Sequence, residues 1–187
     1  DTPFLRGDGR PMKGAEFWVS CDYGINNPFS AHLWALYKGV AYCWREYYYD
    51  SKSVDQYGQQ KPKKDDEGHY AALDAIIGDI PIEAIVIDPS ATSFKETIRR
   101  HDKYDAWNAN NDVIPGIATV SSLLNAGRML VHKSCKNALD EFGLYSWDAD
   151  APEDRVIKEF DHAMDDIRYM CHTIVRREFD WLDWSVR

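Results

Sequence analysis

The chain has 187 residues and a net charge of −9, and 44% of its residues are hydrophobic. This length and composition predict one domain with a packed core, and they exclude disordered and fibrous proteins. The excess of acids argues against a protein that coats nucleic acid. No apolar stretch approaches the roughly 20 residues of a membrane helix, so we expect neither a membrane anchor nor a signal peptide.

Three segments are predicted along the chain. Residues 1–15 are rich in Pro and Gly and begin without Met, which is typical of a linker left by excision from a longer protein. Residues 16–177 form the predicted domain. Residues 178–187 form an aromatic tail that includes Phe179 and Trp181. This tail either packs on the core or docks on a partner, and we expect core packing.

The first half of the domain is predicted to be rich in strands. Two β-prone runs joined at Lys38-Gly39 predict an antiparallel hairpin, and a continuous apolar run before Asp88 is typical of a strand buried on both faces. The predicted strands are Glu16–Asp22, Ser30–Tyr37, Val40–Tyr49, Ala84–Ile87, Tyr104–Asn108 and Met129–His132.

Helices alternate with the later strands. The predicted helices are His69–Ile77, Ser93–Arg100, Ile117–Ala126, Lys136–Tyr145 and a last helix that runs from an N-cap at Asp161 to Arg177. A leading hairpin followed by alternating helices and strands predicts a mixed α/β sheet with helices on both faces.

The four cysteines, Cys21, Cys43, Cys135 and Cys171, lie far apart and form no C-x-x-C pair. This spacing argues against a zinc site and against a disulfide framework. It favours buried free thiols in a reducing compartment, for which the cytoplasm is the default.

Two acids occupy equivalent positions in the predicted sheet. Asp22 and Asp88 each end an apolar strand, and each precedes a turn residue. Taken singly, an Asp at such a position most often only initiates a turn. If the two strands are parallel neighbours, however, both carboxylates converge at the sheet edge where open α/β folds bind ligands. The pair therefore favours a metal site.

A further acid lies on the last predicted helix. At about 100° per residue, His162, Asp165, Tyr169 and His172 share the face opposite the apolar stripe, and Asp166 points elsewhere. Taken alone, this pattern favours a solvated polar face, with acids placed well for the helix dipole.

Four motifs contain these residues. They are Cys-Asp22-Tyr-Gly, Ile-Val-Ile-Asp88-Pro-Ser, Gly116-Ile117 at the start of a helix that is closed by Asn-Ala-Gly127, and Asp161-His162-Ala-Met-Asp165 followed by Arg168-Tyr169. Together they resemble the nuclease domain of the large terminase subunit of tailed bacteriophages, a member of the RNase H-like (RuvC-like) superfamily. The resemblance extends from about Phe17 to Tyr169, and the last motif is its most specific part.

The resemblance implies a metal-dependent endonuclease that cleaves double-stranded DNA with little sequence specificity during viral DNA packaging. It implies that Asp22, Asp88 and Asp165 hold two Mg²⁺ or Mn²⁺ ions and that His162 lies beside them. Because Asp166 stands where the family usually has a small residue, Asp166 and Asp161 are secondary candidates. Hard oxygen ligands suit these ions, whereas a zinc hydrolase would use more His or Cys.

Charge is spread unevenly along the chain. Residues 148–166 carry −6 of the net −9, which favours a cation site over a bare phosphate cradle. Basic side chains elsewhere are candidates for sequence-blind contacts to the DNA backbone, although each is equally typical of solvated surface. They are Lys61, Lys63, Lys64, Lys95, Arg99, Arg100, Lys133 and Lys136.

No G-x-x-x-x-G-K-[ST] loop occurs in the chain, so it contains no ATPase motor of that type. The resemblance implies an ATPase domain earlier in a longer protein, the portal protein and the small terminase subunit as partners, and the cytoplasm of the infected bacterial host as location. Two alternatives stay open: another RNase H-like nuclease, of the junction resolvase or transposase type, and a catalytically silent docking module. Actin-like and sugar-kinase ATPases are less favoured, since they need a second half and an adenosine loop.

Overall fold

The computed structural model describes residues 2–24, 27–148, 156–157, 159 and 161–179. Its strands are β1 (Glu16–Asp22), β2 (Phe29–Tyr37), β3 (Val40–Tyr49), β4 (Ile85–Ile87), β5 (Ala106–Asn108) and β6 (Met129–Val131). They form one sheet in the order β5-β4-β1-β2-β3-β6.

The sheet is mixed, as predicted. Strand β2 runs antiparallel to β1 and β3, whereas β1 pairs in parallel with β4, β4 with β5, and β3 with β6. Five strands, all but β2, therefore end at the same edge, which we call the carboxyl edge. The predicted arrangement of a leading antiparallel hairpin followed by parallel strands is confirmed.

Helices cover both faces of the sheet. They are α1 (Asp66–Ile77), α2 (Thr92–His101), α3 (Val113–Asn125), α4 (Lys136–Leu144), α5 (His162–Met170) and α6 (Arg176–Glu178), and a π-helical turn, Cys171–Val175, joins the last two. On one face, Leu73 of α1 and Phe94 of α2 are buried with Val19 of β1. On the other face, α3, α4 and α5 pack around Trp18 and Trp34.

The β2–β3 turn explains why the hairpin could be predicted from the sequence. Lys38 and Gly39 both have positive φ, at +50° and +73°. A two-residue type I′ turn requires positive φ at both positions, and glycine adopts this conformation without a steric penalty.

Two helices begin earlier than predicted, for local reasons. Helix α1 begins at Asp66 because the Asp65 carboxylate accepts the Gly68 N–H at 2.8 Å and caps the helix. Helix α3 begins at Val113 and contains Pro115 in its first turn, where the missing N–H has no helical partner to lose.

Residues 2–15, predicted to be linker-like, contact the domain closely. Phe4 is 1% exposed, and its ring centroid lies 5.0 Å from that of Trp44 and 6.0 Å from that of Phe17. The Met12 N–H donates to the Phe4 carbonyl oxygen at 2.8 Å. This segment therefore completes one face of the core, and the boundary at residue 16 stays a prediction.

Of the predicted aromatic tail, Phe179 is 4% exposed and belongs to the core on the α5 side of the sheet. Trp181 and Trp184 lie outside the described residues. All four cysteines are buried and free, as predicted. Across the described ranges, no helix is long and apolar enough to cross a membrane.

Candidate metal centre at the carboxyl edge

Asp22 and Asp88 lie side by side at the carboxyl edge. Strands β1 and β4 are parallel neighbours, and their register pairs Cys21 with Ile87. The next residue of each strand is one of the two predicted acids, so both leave the sheet together. Because neighbouring strands are about 4.8 Å apart, the structure brings these two carboxylates into one site.

Helix α5 crosses the ends of both strands and adds three further side chains. The Nδ1 atom of His162 lies 3.0 Å from Oδ2 of Asp22. The Tyr169 hydroxyl donates to Oδ2 of Asp88 at 3.0 Å. Asp165 lies between these two residues along the helix, and its charge acts on Asp22. The three predicted acids and His162 are therefore neighbours.

The start of α5 is capped differently from the sequence prediction. Asp161 is the N-cap residue, but its backbone (φ −121°, ψ 3°) is not extended and its side chain makes no capping hydrogen bond. The Glu141 carboxylate of α4 accepts the N–H groups of Ala163 and Met164 instead, at 2.8 and 3.2 Å. The cap thus comes from another helix, which no local sequence pattern indicates.

Asp22 and His162 form a pair in surroundings with excess negative charge. Burial raises the pKa of Asp22, the His162 hydrogen bond lowers it, and the charges of Asp165 and Asp166 raise it, with a net rise. Burial lowers the pKa of His162, but its hydrogen bond to Asp22 outweighs burial and raises it. A cation would relieve this repulsion, and the oxygen donors suit Mg²⁺ or Mn²⁺, so the residues present fit such ions.

Asp88 is held in its ionised form. Burial raises the pKa of its carboxyl group, but hydrogen bonds from Ser90, Tyr169 and Asn111 outweigh burial and lower it. The Ser90 N–H donates to Oδ1 at 2.6 Å, and Nδ2 of Asn111 lies 3.4 Å from Oδ2. The Asp-Pro-Ser sequence is typical of such a turn. No sequence signal indicates Asn111, which reaches the site from the segment after β5.

Arg168 restrains Asp165. Its Nη2 and Nε atoms donate to Oδ1 of Asp165 at 2.8 and 3.3 Å, and Nη1 donates to the Asn111 carbonyl oxygen at 2.7 Å. Gly116 of α3 makes room for this side chain, since a Cβ atom there would lie 2.5 Å from Cγ of Arg168. The glycine in the third sequence motif therefore permits close approach of α3 to α5.

The polar face of α5 is not solvated, contrary to the simpler interpretation of its sequence. Asp165 is 9% exposed and Tyr169 is 4% exposed, because α3 packs over this part of the helix. His172, predicted on the same face, lies in the π-helical turn and contacts Thr119 at 3.1 Å. Asp166 points away from Asp165 into the sheet, where it is completely buried.

The three acids are not drawn around a single point. Within the described part of the chain, one group of three or more His, Cys, Asp or Glu side chains has all its ligand atoms within 4.8 Å: His32, Cys43 and Cys135. Asp22, Asp88 and Asp165 are more widely spread in their present rotamers. Such a spread suits two ions that share ligands better than it suits one.

Three predicted DNA contacts lie on the loop that follows β3 at the carboxyl edge. The Lys64 ammonium group lies 4.5 Å from the ring centroid of Tyr49 and 5.2 Å from that of Tyr47. The Lys61 ammonium group lies 5.8 Å from the Tyr49 centroid, and Lys63 is exposed. Aromatic rings thus hold two of the three lysines beside the candidate site.

Other predicted contacts also lie near this edge. The Lys95 ammonium group donates to the Pro89 carbonyl oxygen at 2.5 Å and to Oδ1 of Asn108 at 3.0 Å, directly beside the strand ends. Lys133, which follows β6, and Lys136, which begins α4, are both exposed.

Arg99 and Arg100 lie farther from the edge, in the last turn of α2. Arg99 forms a 2.6 Å salt bridge with Glu96, and Arg100 forms a 3.0 Å salt bridge with Glu67. Because acids compensate both charges, these two arginines are the weakest of the predicted DNA contacts.

In sequence, the chain is similar to large terminase subunits of bacteriophages. It is 37% identical to the large terminase of a thermophilic bacteriophage, solved in complex with ADP, over 89% of this chain and 40% of that chain, with a TM-score of 0.78. It is 24% identical over 140 residues to the "Terminase, large subunit" of Escherichia phage T5, which covers 70% of this chain and 32% of that protein. The chain thus spans less than half of these relatives. No protein-family model matches it.

The fold is that of an isolated terminase domain. The P22 large terminase nuclease domain superposes with a TM-score of 0.68 at 19% identity, over 91% of this chain and 85% of that domain. The chain has the large terminase nuclease fold. The large terminase nuclease from the thermophilic phage G20c also superposes, with a TM-score of 0.61 at 14% identity, over 85% of this chain and 83% of that one. The resemblance inferred from the four motifs and the RNase H-like fold are thus confirmed.

Proposed function

We propose that this chain is the nuclease domain of a DNA-packaging terminase, a metal-dependent endonuclease that cleaves double-stranded DNA with little sequence specificity. One observation carries the proposal: Asp22, Asp88 and Asp165 meet at the carboxyl edge, and a different neighbour fixes each of them. Sequence similarity to the large terminases of phage T5 and of the thermophilic phage with bound ADP supports the packaging role.

The proposed cofactors are two Mg²⁺ or Mn²⁺ ions held by Asp22, Asp88 and Asp165. Bound divalent cations supply activation of the attacking water and stabilisation of negative charge on the leaving 3′ oxygen. The G20c large terminase nuclease, which shares this fold, has been solved with bound cobalt. That structure supports divalent-ion binding by the fold.

The other side chains of the site position these ligands. Tyr169 orients the Asp88 carboxylate, and Arg168 limits the rotamers of Asp165. His162 carries a proton near neutral pH because its contact with Asp22 raises its pKa. In the proposed mechanism His162 orients a water molecule or donates a proton to the leaving oxygen.

DNA is proposed to approach along the carboxyl edge. Lys61, Lys63 and Lys64 lie on one side of the acids and Lys95 lies beside Asp88, in positions to contact backbone phosphates without reading sequence. With a net charge of −9, the isolated chain is expected to bind DNA weakly.

The remaining grip on DNA is assigned to the rest of a longer protein. The chain spans 40% of the large terminase with bound ADP, so we propose that an ATPase motor domain precedes this one. The portal protein and the small terminase subunit are the further proposed partners, and the cytoplasm of the infected bacterial host is the proposed location. Residues 16–177 are the proposed extent of the nuclease domain.

The test is cleavage of supercoiled plasmid with Mg²⁺, with Mn²⁺ and without either ion. The parent chain should cleave only with an ion, and Asp22→Asn, Asp88→Asn and Asp165→Asn should each reduce cleavage to background. Paired substitutions should be no worse than single ones, because each disables the same centre. Asp79→Asn, an exposed acid between α1 and β4, is the matched control and should cleave normally.

Two outcomes would contradict the proposal. Ion-independent inactivity of a well-folded parent chain would favour the silent docking module. Cleavage confined to branched DNA would favour a nuclease of the junction resolvase type.

A further inference from the structure

A buried polar cluster lies directly behind the candidate metal centre. Asp166 of α5 is 0% exposed, and its carboxylate accepts hydrogen bonds from Ser20 at 2.7 Å, from Ser30, and from Nδ1 of His32 at 2.8 Å. The Trp34 indole N–H in turn donates to Oγ of Ser20 at 2.8 Å. These partners lie on β1 and β2, so the cluster attaches α5 to the middle of the sheet.

The cluster continues through His32 to β3 and α4. His32 and Glu46 are directly opposite each other across β2 and β3, and Nε2 of His32 lies 3.1 Å from Oε1 of Glu46. Glu46 also accepts the N–H groups of Asn137 at 3.0 Å and Ala138 at 2.8 Å. Its negative charge therefore lies at the N-terminal end of α4, where a helix stabilises an anion.

Both ring nitrogens of His32 are occupied. Burial lowers the pKa of His32, but the Asp166 charge and the hydrogen bonds to Asp166 and Glu46 outweigh burial and raise it to about 10. The ring is thus doubly protonated at neutral pH and donates to a carboxylate on each side. Although Cys43 and Cys135 lie close by, this ring offers no lone pair to a metal ion.

We propose that Asp166, His32 and Glu46 are positioning residues that set the rotation of α5 and thereby point Asp165 and His162 toward Asp22. Successive helical side chains differ by about 100° in direction, so fixing Asp166 inside the sheet determines where its neighbour Asp165 points. The charge-assisted contacts on both sides of His32 make this attachment directional. The inference rests on the proposed function, since it explains how the helix of that site is held.

The experiment compares Asp166→Asn and His32→Gln with the parent chain, at a temperature well below the melting point of each. Two quantities are measured: Mn²⁺ affinity by calorimetry, and hydrogen exchange of the backbone amides of α5. Leu73→Ala is the matched control, because it removes a fully buried side chain from the opposite face of the sheet.

Asp166→Asn and His32→Gln should each weaken Mn²⁺ binding by about 10- to 100-fold, the usual loss when a partner behind a metal ligand is changed. Both should speed exchange in α5 more than in α1. The double variant should be no worse than either single one, because the two residues act through one chain of contacts. Leu73→Ala should retain parental Mn²⁺ affinity despite its lower stability.

Parental Mn²⁺ affinity together with parental exchange of α5 in Asp166→Asn would overturn the positioning role. If the parent chain itself binds no Mn²⁺, the proposed function fails, whereas exchange in α5 still decides the positioning role. If Asp166→Asn does not fold, Glu46→Gln tests the same chain from its far end. That variant should show a smaller change of the same two quantities, and its unchanged behaviour would also overturn the inference.

Discussion

The Nδ1 atom of His162 lies 3.0 Å from Asp22, which separates two roles that the sequence left together at the site. The ring contacts a proposed ligand, but neutral imidazole is not a preferred ligand of Mg²⁺. Its raised pKa places a proton beside the acids near neutral pH. A proton-handling role follows from this contact, and it makes different demands on the side chain from those of metal binding.

His162→Ala is therefore expected to slow cleavage by about 10² to 10⁴-fold and to change its pH profile. Its Mn²⁺ affinity should stay close to that of the parent chain. Plasmid cleavage between pH 5 and 9, combined with calorimetry, measures both effects. His172→Ala is the control, since this histidine follows α5 but contacts Thr119 away from the acids. Loss of Mn²⁺ binding in His162→Ala would instead make the ring a direct ligand.

Sequence and structure differ in which residues of the site each reveals. Asp22 and Asp88 were predictable because a strand end is a local pattern, and Asp165 because it shares a helix face with His162. Glu141 was not predictable, because it caps α5 from another helix. Contacts of this kind depend on packing between elements, and no spacing along the chain encodes them.

Among the elements, α3 and α5 depend on a close approach at Gly116. A methyl group at this position would overlap the buried Arg168 side chain, which restrains Asp165 and has little space to move. Overpacking of this kind costs about 1–3 kcal/mol of stability, and small displacements of catalytic groups reduce rates strongly.

Gly116→Ala should consequently reduce cleavage by about 10²-fold at saturating Mn²⁺. The measurement is single-turnover plasmid cleavage, with thermal unfolding recorded in parallel. Gly143→Ala in α4 serves as the control, because nothing lies within 4 Å of a Cβ atom there. That variant should match the parent chain in rate and be equally or slightly more stable. Parental activity in Gly116→Ala would show that Arg168 is not needed where it lies.

The strands β2 and β3 give the fold a pH dependence through His32 and Glu46. Hydrogen bonds from His32 and from the amides of α4 outweigh burial and lower the pKa of Glu46 from 4.5 to about 2. Its contribution to stability is present above pH 4.5 and is lost as the pH falls toward 2. His32 behaves oppositely, since its pKa rises from 6.5 to about 10. Its contribution is present below pH 6.5 and is lost as the pH rises toward 10.

From this pair, the free energy of unfolding should be highest between pH 4.5 and 6.5, and should fall by up to about 1.4 kcal/mol per pH unit above it. Denaturant unfolding at pH 6, 8 and 10 without metal measures the alkaline side. His32→Gln should be less stable at pH 6 by about 3–5 kcal/mol and should have a flatter profile. His101→Gln, on the exposed side of α2, should retain the parental slope. An equally steep profile in His32→Gln would assign the titration to another group.

At the scale of the whole molecule, the carboxyl edge gathers acids that repel one another. The net rise in the pKa of Asp22 reflects burial and its acidic neighbours. An ion that binds only the folded chain stabilises it by mass action, by about 2.7 kcal/mol at 100 times its dissociation constant. For a chain of this length that corresponds to a melting temperature about 5–10 °C higher.

Thermal unfolding with increasing Mn²⁺ or Mg²⁺ should show this rise in the parent chain. Ca²⁺, with its larger radius, is a useful comparison for ligand geometry. Asp165→Asn should lose most of the rise, whereas Asp79→Asn should retain it. A melting temperature that ignores millimolar Mn²⁺ would exclude a preformed site.

The sheet was largely predictable at this scale, and its packing was less so. Alternating strands, a two-residue turn and strand-end acids define the order and direction of most elements. The N-terminal segment was interpreted as a linker because its Gly and Pro residues are turn-rich. Phe4 nevertheless packs on Trp44, a contact between residues 40 positions apart that local composition does not indicate.

The burial of all four cysteines makes the native chain suited to site-specific fluorescence. A maleimide dye finds no accessible thiol on the folded parent, so one engineered cysteine becomes the sole attachment point. Tyr57, 78% exposed on the loop after β3, offers a position on the carboxyl-edge side of the molecule. Energy transfer from a dye at Tyr57→Cys to an end-labelled duplex would follow the approach of DNA in real time, before any strand is cut.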